Sequence, residues 1–189
     1  MLQANVSRET CTERQEDKTL LYGDVLMMKM RRKDREITDS EEIKSIIEKC
    51  RVINLGLNAG EYPYVVAVNY AHEVEKGKHC FYFHSAKEGK KLDLIAADNK
   101  CSFLLYNDMH VETRGFEHCT NYYESVMGTG IITEITVAED KIKAAKMLLR
   151  KHQRENVVKF EKELLDRTYF GKITVETISA KAQRRKQND

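Results

Sequence analysis

The apolar positions of this chain change period along its length, and each change marks a different kind of element. Ile43, Ile46, Ile47 and Cys50 recur at i, i+3, i+4 and i+7, the single stripe of an amphipathic helix that ends near Lys49. Ahead of it, Thr38-Asp39-Ser40-Glu41 has the form of a capping box, with Thr38 as the N-cap and Glu41 three residues on. The period then drops to two. Ile53, Leu55 and Leu57 alternate with Asn54, Gly56 and Asn58, as a half-buried strand requires. Asn58-Ala59-Gly60-Glu61 predicts a turn into a second strand, Tyr64 to Tyr70, with Val66 and Val68 as core positions and Pro63 at its tolerated start. Glu75-Lys76-Gly77-Lys78 predicts the next turn, into a strand from His79 to His84. Turns this short force antiparallel pairing, because a parallel crossover needs about a dozen residues.

Leu92, Ile95 and Ala96 predict a short helix, and Cys101 to Tyr106 a fourth strand. Residues 107–121 are polar and carry no period. Glu124 to Val137 is a long β-rich run in which Gly128 and Gly130 predict a bulge or a close backbone approach. Ile142, Ala145, Leu148 and Leu149 mark a helix, Val157 to Leu165 a second one, and Tyr169 to Ile178 a last strand with Ile173 and Val175 inward. Six strands joined mainly as a meander, with helices inserted between them, predict an antiparallel β-barrel decorated by helices, an α+β fold.

Composition narrows the function classes. With 41% apolar and 33% charged residues but a net charge of only +2, most charge is mixed surface. A general nucleic-acid binder carries a larger excess or a clear basic face. Lys181, Arg184, Arg185 and Lys186 form a basic stretch, read as a solvated tail over 181–189, so nucleic acid is not an expected partner. No apolar run reaches the length of a membrane span, and the N-terminus shows no signal-peptide core, so the expected setting is soluble and cytoplasmic. The cysteines (Cys11, Cys50, Cys80, Cys101 and Cys119) form no C-x-x-C pair, the histidines no H-x-x-x-H pattern, and no metal is expected. Cys50 and Cys101 lie on apolar patterns as small core residues, and Cys119 reads as a plain thiol. Ser7 to Thr19 is almost wholly polar, so residues 1–29 read as an N-terminal extension. It is either an arm that packs on a neighbouring subunit or a stretch ahead of the alternative starts Met27, Met28 and Met30.

The candidate chemistry sits in Phe81-Tyr82-Phe83-His84-Ser85-Ala86-Lys87-Glu88-Gly89-Lys90-Lys91-Leu92-Asp93, a strand that passes through a polar loop into a helix. The first-turn N–H groups and the positive end of the helix dipole favour an anion there, and Lys90 and Lys91 add full charges. Adjacent helix residues diverge by about 100°, so one lysine of the pair is expected to face solvent. Taken alone, Gly-Lys-Lys at a helix start is more often plain surface, and His84 a strand-end histidine satisfied by a carbonyl.

Four motifs in order change that balance: Arg31-Arg32-Lys33-Asp34-Arg35-Glu36-Ile37; Leu55-Gly56-Leu57-Asn58 with Tyr62-Pro63-Tyr64-Val65-Val66; Tyr82 to Lys91; and Tyr123-Glu124-Ser125-Val126-Met127-Gly128-x-Gly130. With them the chain resembles the pyridoxamine 5′-phosphate oxidase-like split-barrel flavoproteins, and most of all their nitroimidazole-resistance branch, over residues 30–180. The resemblance implies a six-stranded Greek-key split barrel of the FMN-binding type, working as a homodimer with the flavin between subunits. Ser85, Gly89, Lys90 and Lys91 would hold the FMN phosphate. Val65, Val66, Ala67, Val68 and Asn69 would line the ring and ribityl chain, largely through backbone. His84 would stand near the flavin or its ligand and is the candidate catalytic residue. The chain departs from the family in carrying the lysine pair where arginine is common, and lysine supplies a point charge without a bidentate fork.

The function this implies is an FMN-dependent oxidoreductase passing electrons to a small oxidised acceptor, with nitro-aromatic compounds as one class. The alternatives are a haem-binding protein on the same fold with His84 as axial ligand, and a related flavin binder without turnover. Pyridoxamine phosphate oxidase activity itself is disfavoured, because its arginine-rich substrate motif is missing from the C-terminal segment.

Overall fold

The protein is seen in a computed structural model that describes residues 30–113, 119–152 and 160–185. A 3-10 turn at Lys33–Arg35 leads into β1 (Glu36–Ile37), α1 (Ser40–Lys49), β2 (Val52–Leu57), β3 (Tyr64–Asn69), β4 (Ala71–Glu75) and β5 (Lys78–Ala86). Then come α2 (Lys90–Ala97), β6 (Lys100–Thr113), β7 (Cys119–Glu134), α3 (Ala138–Lys151), α4 (Lys162–Arg167) and β8 (Thr168–Gln183). The extension expected over 1–29 and the part of the second C-terminal helix expected over 157–159 lie outside the described residues.

Tyr70 is the corner of the fold. It alone separates β3 from β4, yet these two strands stand at opposite ends of the order β3-β2-β6-β7-β8-β5-β4. A sheet whose end strands are neighbours in the chain has to curl until its ends meet, and this one does so as a half-barrel. Every pairing in it is antiparallel, and β1 pairs β8 off the main path. The second strand expected from sequence is therefore two strands, broken where the Tyr70 hydroxyl turns inward to donate to the carbonyls of Ile47 and Cys50. Lys151 covers the same helix end, donating to the Ile47 and Glu48 carbonyls at 3.1 and 3.0 Å. Together they satisfy the C-terminal carbonyls of α1, which a helix cannot satisfy itself.

Among the described residues the sheet has eight strands where six were expected, with β1 and β4 the additions. The larger core fills the inside of the curl, where Ile46, Ile47, Ile53, Leu55, Phe81 and Leu105 are completely buried. A second core lies on the outer face of β5 and β8, where Tyr82 and Phe170 pack under Leu148 of α3 and Leu165 of α4. Cys50 and Cys101 are buried as the pattern implied. The glycine pair behaves as read: the β7–β8 register shifts between Thr129 and Gly130, and a Cβ at Gly128 would lie 2.0 Å from the Thr177 carbonyl.

Three further expectations need correction. The N-cap of α1 is Asp39, whose side chain accepts from the Glu42 N–H at 2.8 Å, one position later than the Thr38 box. The irregular segment expected over 107–121 is mostly strand: β6 runs to Thr113 and β7 starts at Cys119, forming a two-stranded ribbon. Polar residues gave no period there because neither face of the ribbon meets the core. The C-terminal tail begins later than 181, since β8 continues to Gln183 and Arg184 is tied to Glu42 and Glu124.

Candidate functional site

Among the described residues β3 pairs only with β2, and β5 reaches its neighbours β4 and β8, so the curl leaves β3 beside β5 without a ladder between them. The alternation along β3 turns Val65, Ala67 and Asn69 outward, with Val65 66% exposed, and packs Tyr64, Val66 and Val68 on the core. Of the five β3 positions expected to line a ligand, three therefore offer side chains. Val66 and Val68 offer only backbone.

On β5, consecutive residues point to opposite faces. His84 pairs with Phe170 and lies outward, its ring 6.2 Å from the phenyl group. Ser85 pairs with Tyr169 on the inner face, and its hydroxyl donates to the Ala86 carbonyl at 2.9 Å. The fold thus places His84 and Ser85 back to back.

The loop then turns at Gly89, the N-cap of α2, whose φ of 110° is a conformation that side-chain-bearing residues rarely adopt. A Cβ there would meet nothing within 4 Å, so open space lies beside the helix entrance. The Gly89 carbonyl accepts from the Leu92 N–H at 2.8 Å, and the amides of Lys90 and Lys91 belong to the first turn, which has no carbonyl one turn back. The two lysines diverge. Lys90 is exposed, its ammonium 5.1 Å from the centre of the Tyr64 ring on β3. Lys91 is half-buried toward β5, and desolvation pulls its pKa below the usual 10.5. Burial first, and then the charge of Lys91, hold the His84 imidazole below its ordinary 6.5, so it is neutral at pH 7. One cation thus stands over each side of the split between β3 and β5.

Two features went unread in the sequence. A cleft of about 520 Å³ opens between α2 and the ends of β7 and β8, floored by Leu92, Ile95 and Ile132 with Lys87, Glu134 and Tyr169 around it. Burial and the nearby Glu134 carboxylate push the Tyr169 phenol up to about 12. The other feature is Glu124, 1% exposed, whose carboxylate accepts from Arg184 Nε at 2.9 Å, Asn107 Nδ2 at 3.1 Å and Lys49 Nζ at 3.2 Å. A carboxylate within a β-rich run was the available signal, since burial of such a group requires cationic partners.

Among the described residues no group of three or more His, Cys, Asp or Glu side chains could hold a metal ion, and no helix is long and apolar enough to cross a membrane.

The profile of the pyridoxamine 5′-phosphate oxidase family matches residues 39–182. No curated protein sequence matches the chain. Among solved structures, the chain resembles a candidate 5-nitroimidazole antibiotic resistance protein from Bacteroides thetaiotaomicron, with TM-score 0.69 and 22% identity over 78% of this chain and 86% of that one. It also resembles a flavocytochrome from Azotobacter vinelandii, with TM-score 0.70 and 16% identity over 88% and 77% of the two chains. A third likeness is to an FAD- and haem-binding protein from Mycobacterium smegmatis, with TM-score 0.68 and 13% identity over 82% and 76%. At these identities the likeness is one of fold, the antiparallel split barrel with helices.

Proposed function

The chain belongs to the pyridoxamine 5′-phosphate oxidase family, and we propose that within it the protein is an FMN-binding oxidoreductase that reduces a small oxidised acceptor. The observation that carries this is the lysine pair at the start of α2, straddling a split whose β3 wall is uncharged and exposed. The donor set fits the group. Two ammonium groups, two first-turn amides and the open space beside Gly89 suit a phosphate dianion. Val65 and Ala67 offer the apolar surface that a flat ring needs. When bound, FMN supplies the electron transfer.

The chain's own residues do the rest. Lys90 and Lys91 anchor the phosphate, while Val65 and Ala67 keep water from one side of the ring. His84, neutral at pH 7, can donate a hydrogen bond from one ring nitrogen and accept at the other, which orients an acceptor at the mouth of the split. Nitro-aromatic compounds are the acceptor class to assay first, supported by the fold shared with a candidate nitroimidazole-resistance protein.

The reading includes a homodimer with the flavin between subunits. Its support is the outer face of β3, β2, β6 and β7. Across that face Ala67, Asn54, Leu104 and Met127 stand in one register row, with Val52, Val65 and Tyr106 exposed beside them. The same face carries the β3 residues offered to the cofactor. That row is uncharged, with Lys100 and Asp108 only at the two ends of the β6 face, and such an exposed stretch calls for a cover.

Mass spectrometry of the cofactor released from the native protein tests the reading directly. FMN is the expected mass; no flavin overturns the proposal, and FAD keeps the flavin but overturns FMN. The Lys90→Ala, Lys91→Ala double variant should weaken FMN binding by about 10- to 100-fold, one to two charge-assisted hydrogen bonds' worth. Unchanged affinity removes the loop from the site.

Haem binding is the second reading, favoured by the exposed, neutral His84 imidazole and by the haem-carrying proteins among the fold relatives. A Soret band that disappears in the His84→Ala variant would support it. A purely flavin spectrum removes it.

A further inference from the structure

The inward row of β7 ends on a carboxylate. Ile132 pairs with Ile173 of β8, both buried in the larger core, and Glu134, two residues on, pairs with Gly171 on the same face. Glu134 is nevertheless exposed, because the curl opens there toward α2. Tyr169 is directed to the same place. Gly171 has no side chain to hold its ring back: a Cβ there would lie 3.0 Å from Tyr169 Cε1, closer than packed carbons normally come. The ring therefore crosses the bare partner of Glu134, and its phenol stands within the field of that carboxylate.

The facing wall of this cleft is α2, which is fixed beyond its C-terminal end where the Asn99 carbonyl accepts from the Ile132 N–H at 2.8 Å. Leu92 and Ile95 of α2 join Ile132 in an apolar floor, and Lys87, on the loop ahead of the helix, stands at the rim. Among the described residues Lys87 and Glu134 form no ion pair, with each other or with any third group, and the Tyr169 hydroxyl has no hydrogen-bond partner. A lysine and a glutamate within reach of each other would close into a pair. These two are held apart around a cleft of about 520 Å³, a volume that small-molecule sites have. None of the residues assigned to the FMN site lines it.

We propose that this cleft binds a small zwitterion with an apolar body, of the class of the apolar α-amino acids. Its ammonium would meet Glu134, its carboxylate Lys87, and its side chain the floor of Leu92, Ile95 and Ile132. Charge complementarity selects this class. An anion without a cationic group meets repulsion from Glu134, a cation without an anionic group meets repulsion from Lys87, and a neutral apolar molecule takes water from both charges and returns no partner. The Tyr169 phenol, pushed up to about 12 by burial and by Glu134, stays protonated at pH 7. Its oxygen can accept from the ammonium beside Glu134, and its O–H can donate to the carboxylate.

Titration of the ¹⁵N-labelled native protein with L-phenylalanine and with L-leucine tests the inference. Amide shifts should centre on Ile95, Ile132 and Tyr169, and ligands of this size should bind with Kd of about 1 mM. N-acetyl-L-phenylalanine lacks the ammonium and L-phenylalaninamide lacks the carboxylate; each should bind about three- to tenfold more weakly than the free amino acid. Two variants then cross with the two blocked ligands. Glu134→Gln should erase the penalty of acetylation and keep that of the amide, and Lys87→Gln should do the reverse. Both side chains are exposed, so neither change disturbs the core, and the blocked ligands probe the same contacts on the unaltered chain. Absence of shifts at the cleft with either amino acid, up to its solubility limit, overturns the proposal. Equal affinity for free and blocked forms, or penalties that both variants leave unchanged, overturns it as well. Flavin absorbance read on the same samples keeps the two readings apart, since a protein without flavin that still shows the crossed pattern refutes only the cofactor.

Discussion

Replacing Glu124 with glutamine tests the buried ionic junction on which the end of the barrel closes. The carboxylate is 1% exposed and accepts from Lys49, Asn107 and Arg184, groups from α1, β6 and the end of β8. Burial alone would push its pKa up, but the hydrogen bonds from Asn107, Arg184 and Lys49 outweigh that and hold it below the usual 4.5. Glutamine keeps the shape and removes the charge. Lys49 and Arg184 are 48% and 41% exposed, so both can be rehydrated and neither becomes a buried unpaired cation. The full penalty of breaking a buried pair therefore does not apply. What remains is two charge-assisted hydrogen bonds weakened to neutral ones and one amide N–H facing cationic donors, about 3 kcal/mol in all. For a domain of this size that lowers Tm by roughly 6–12 °C. Urea unfolding and a thermal melt measure it, and a Glu124→Gln/Arg184→Gln cycle isolates the pair. The native advantage should be full above the unfolded carboxylate pKa of 4.5 and fade as pH falls through the lower folded value. A Tm change under about 2 °C, with no coupling in the cycle, would refute the reasoning.

Two further outcomes are expected. His72 has no exposed side-chain surface; its Nδ1 is 3.2 Å from Glu48 and its Nε2 2.9 Å from His79 Nδ1, and burial lowers both histidines below 6.5 despite the Glu48 contact on His72. A lowered histidine pKa means the unfolded chain takes up protons first, so stability is complete above pH 6.5 and declines as pH falls below it. His72→Gln should flatten that slope between pH 5 and 6.5 in pH-resolved melts, at roughly a 1–2 kcal/mol cost near neutrality; an unchanged slope counts against it. Gly89→Ala meets open space but a φ of 110°, so it should cost about 1–3 kcal/mol of strain, read in a urea titration. A neutral substitution would mean that the loop relaxes to another conformation.

Much of the barrel was legible in the order of residues. The alternations in β2, β3 and β8, the stripe of α1 and the Gly128 and Gly130 signals were correct because each reports a local condition: which face is dry, or where another backbone passes. The motif from Tyr82 to Lys91 likewise marked its strand, loop and helix, since the glycine and the lysines are set by the backbone turn and the helix start. Three things came only from the tertiary structure. The break at Tyr70 depends on carbonyls of α1, some twenty residues away in the chain. Which of Lys90 and Lys91 faces solvent depends on Tyr64 and on the burial around His84. The ribbon beyond Asp108 carried no period, because among the described residues its two strands ladder only with each other and alternation there marks no buried sheet face. Local sequence records the exposure of each side chain along its own strand or helix; which distant groups stand opposite it is decided by how the sheet curls, and that is where the split and its two cations arise.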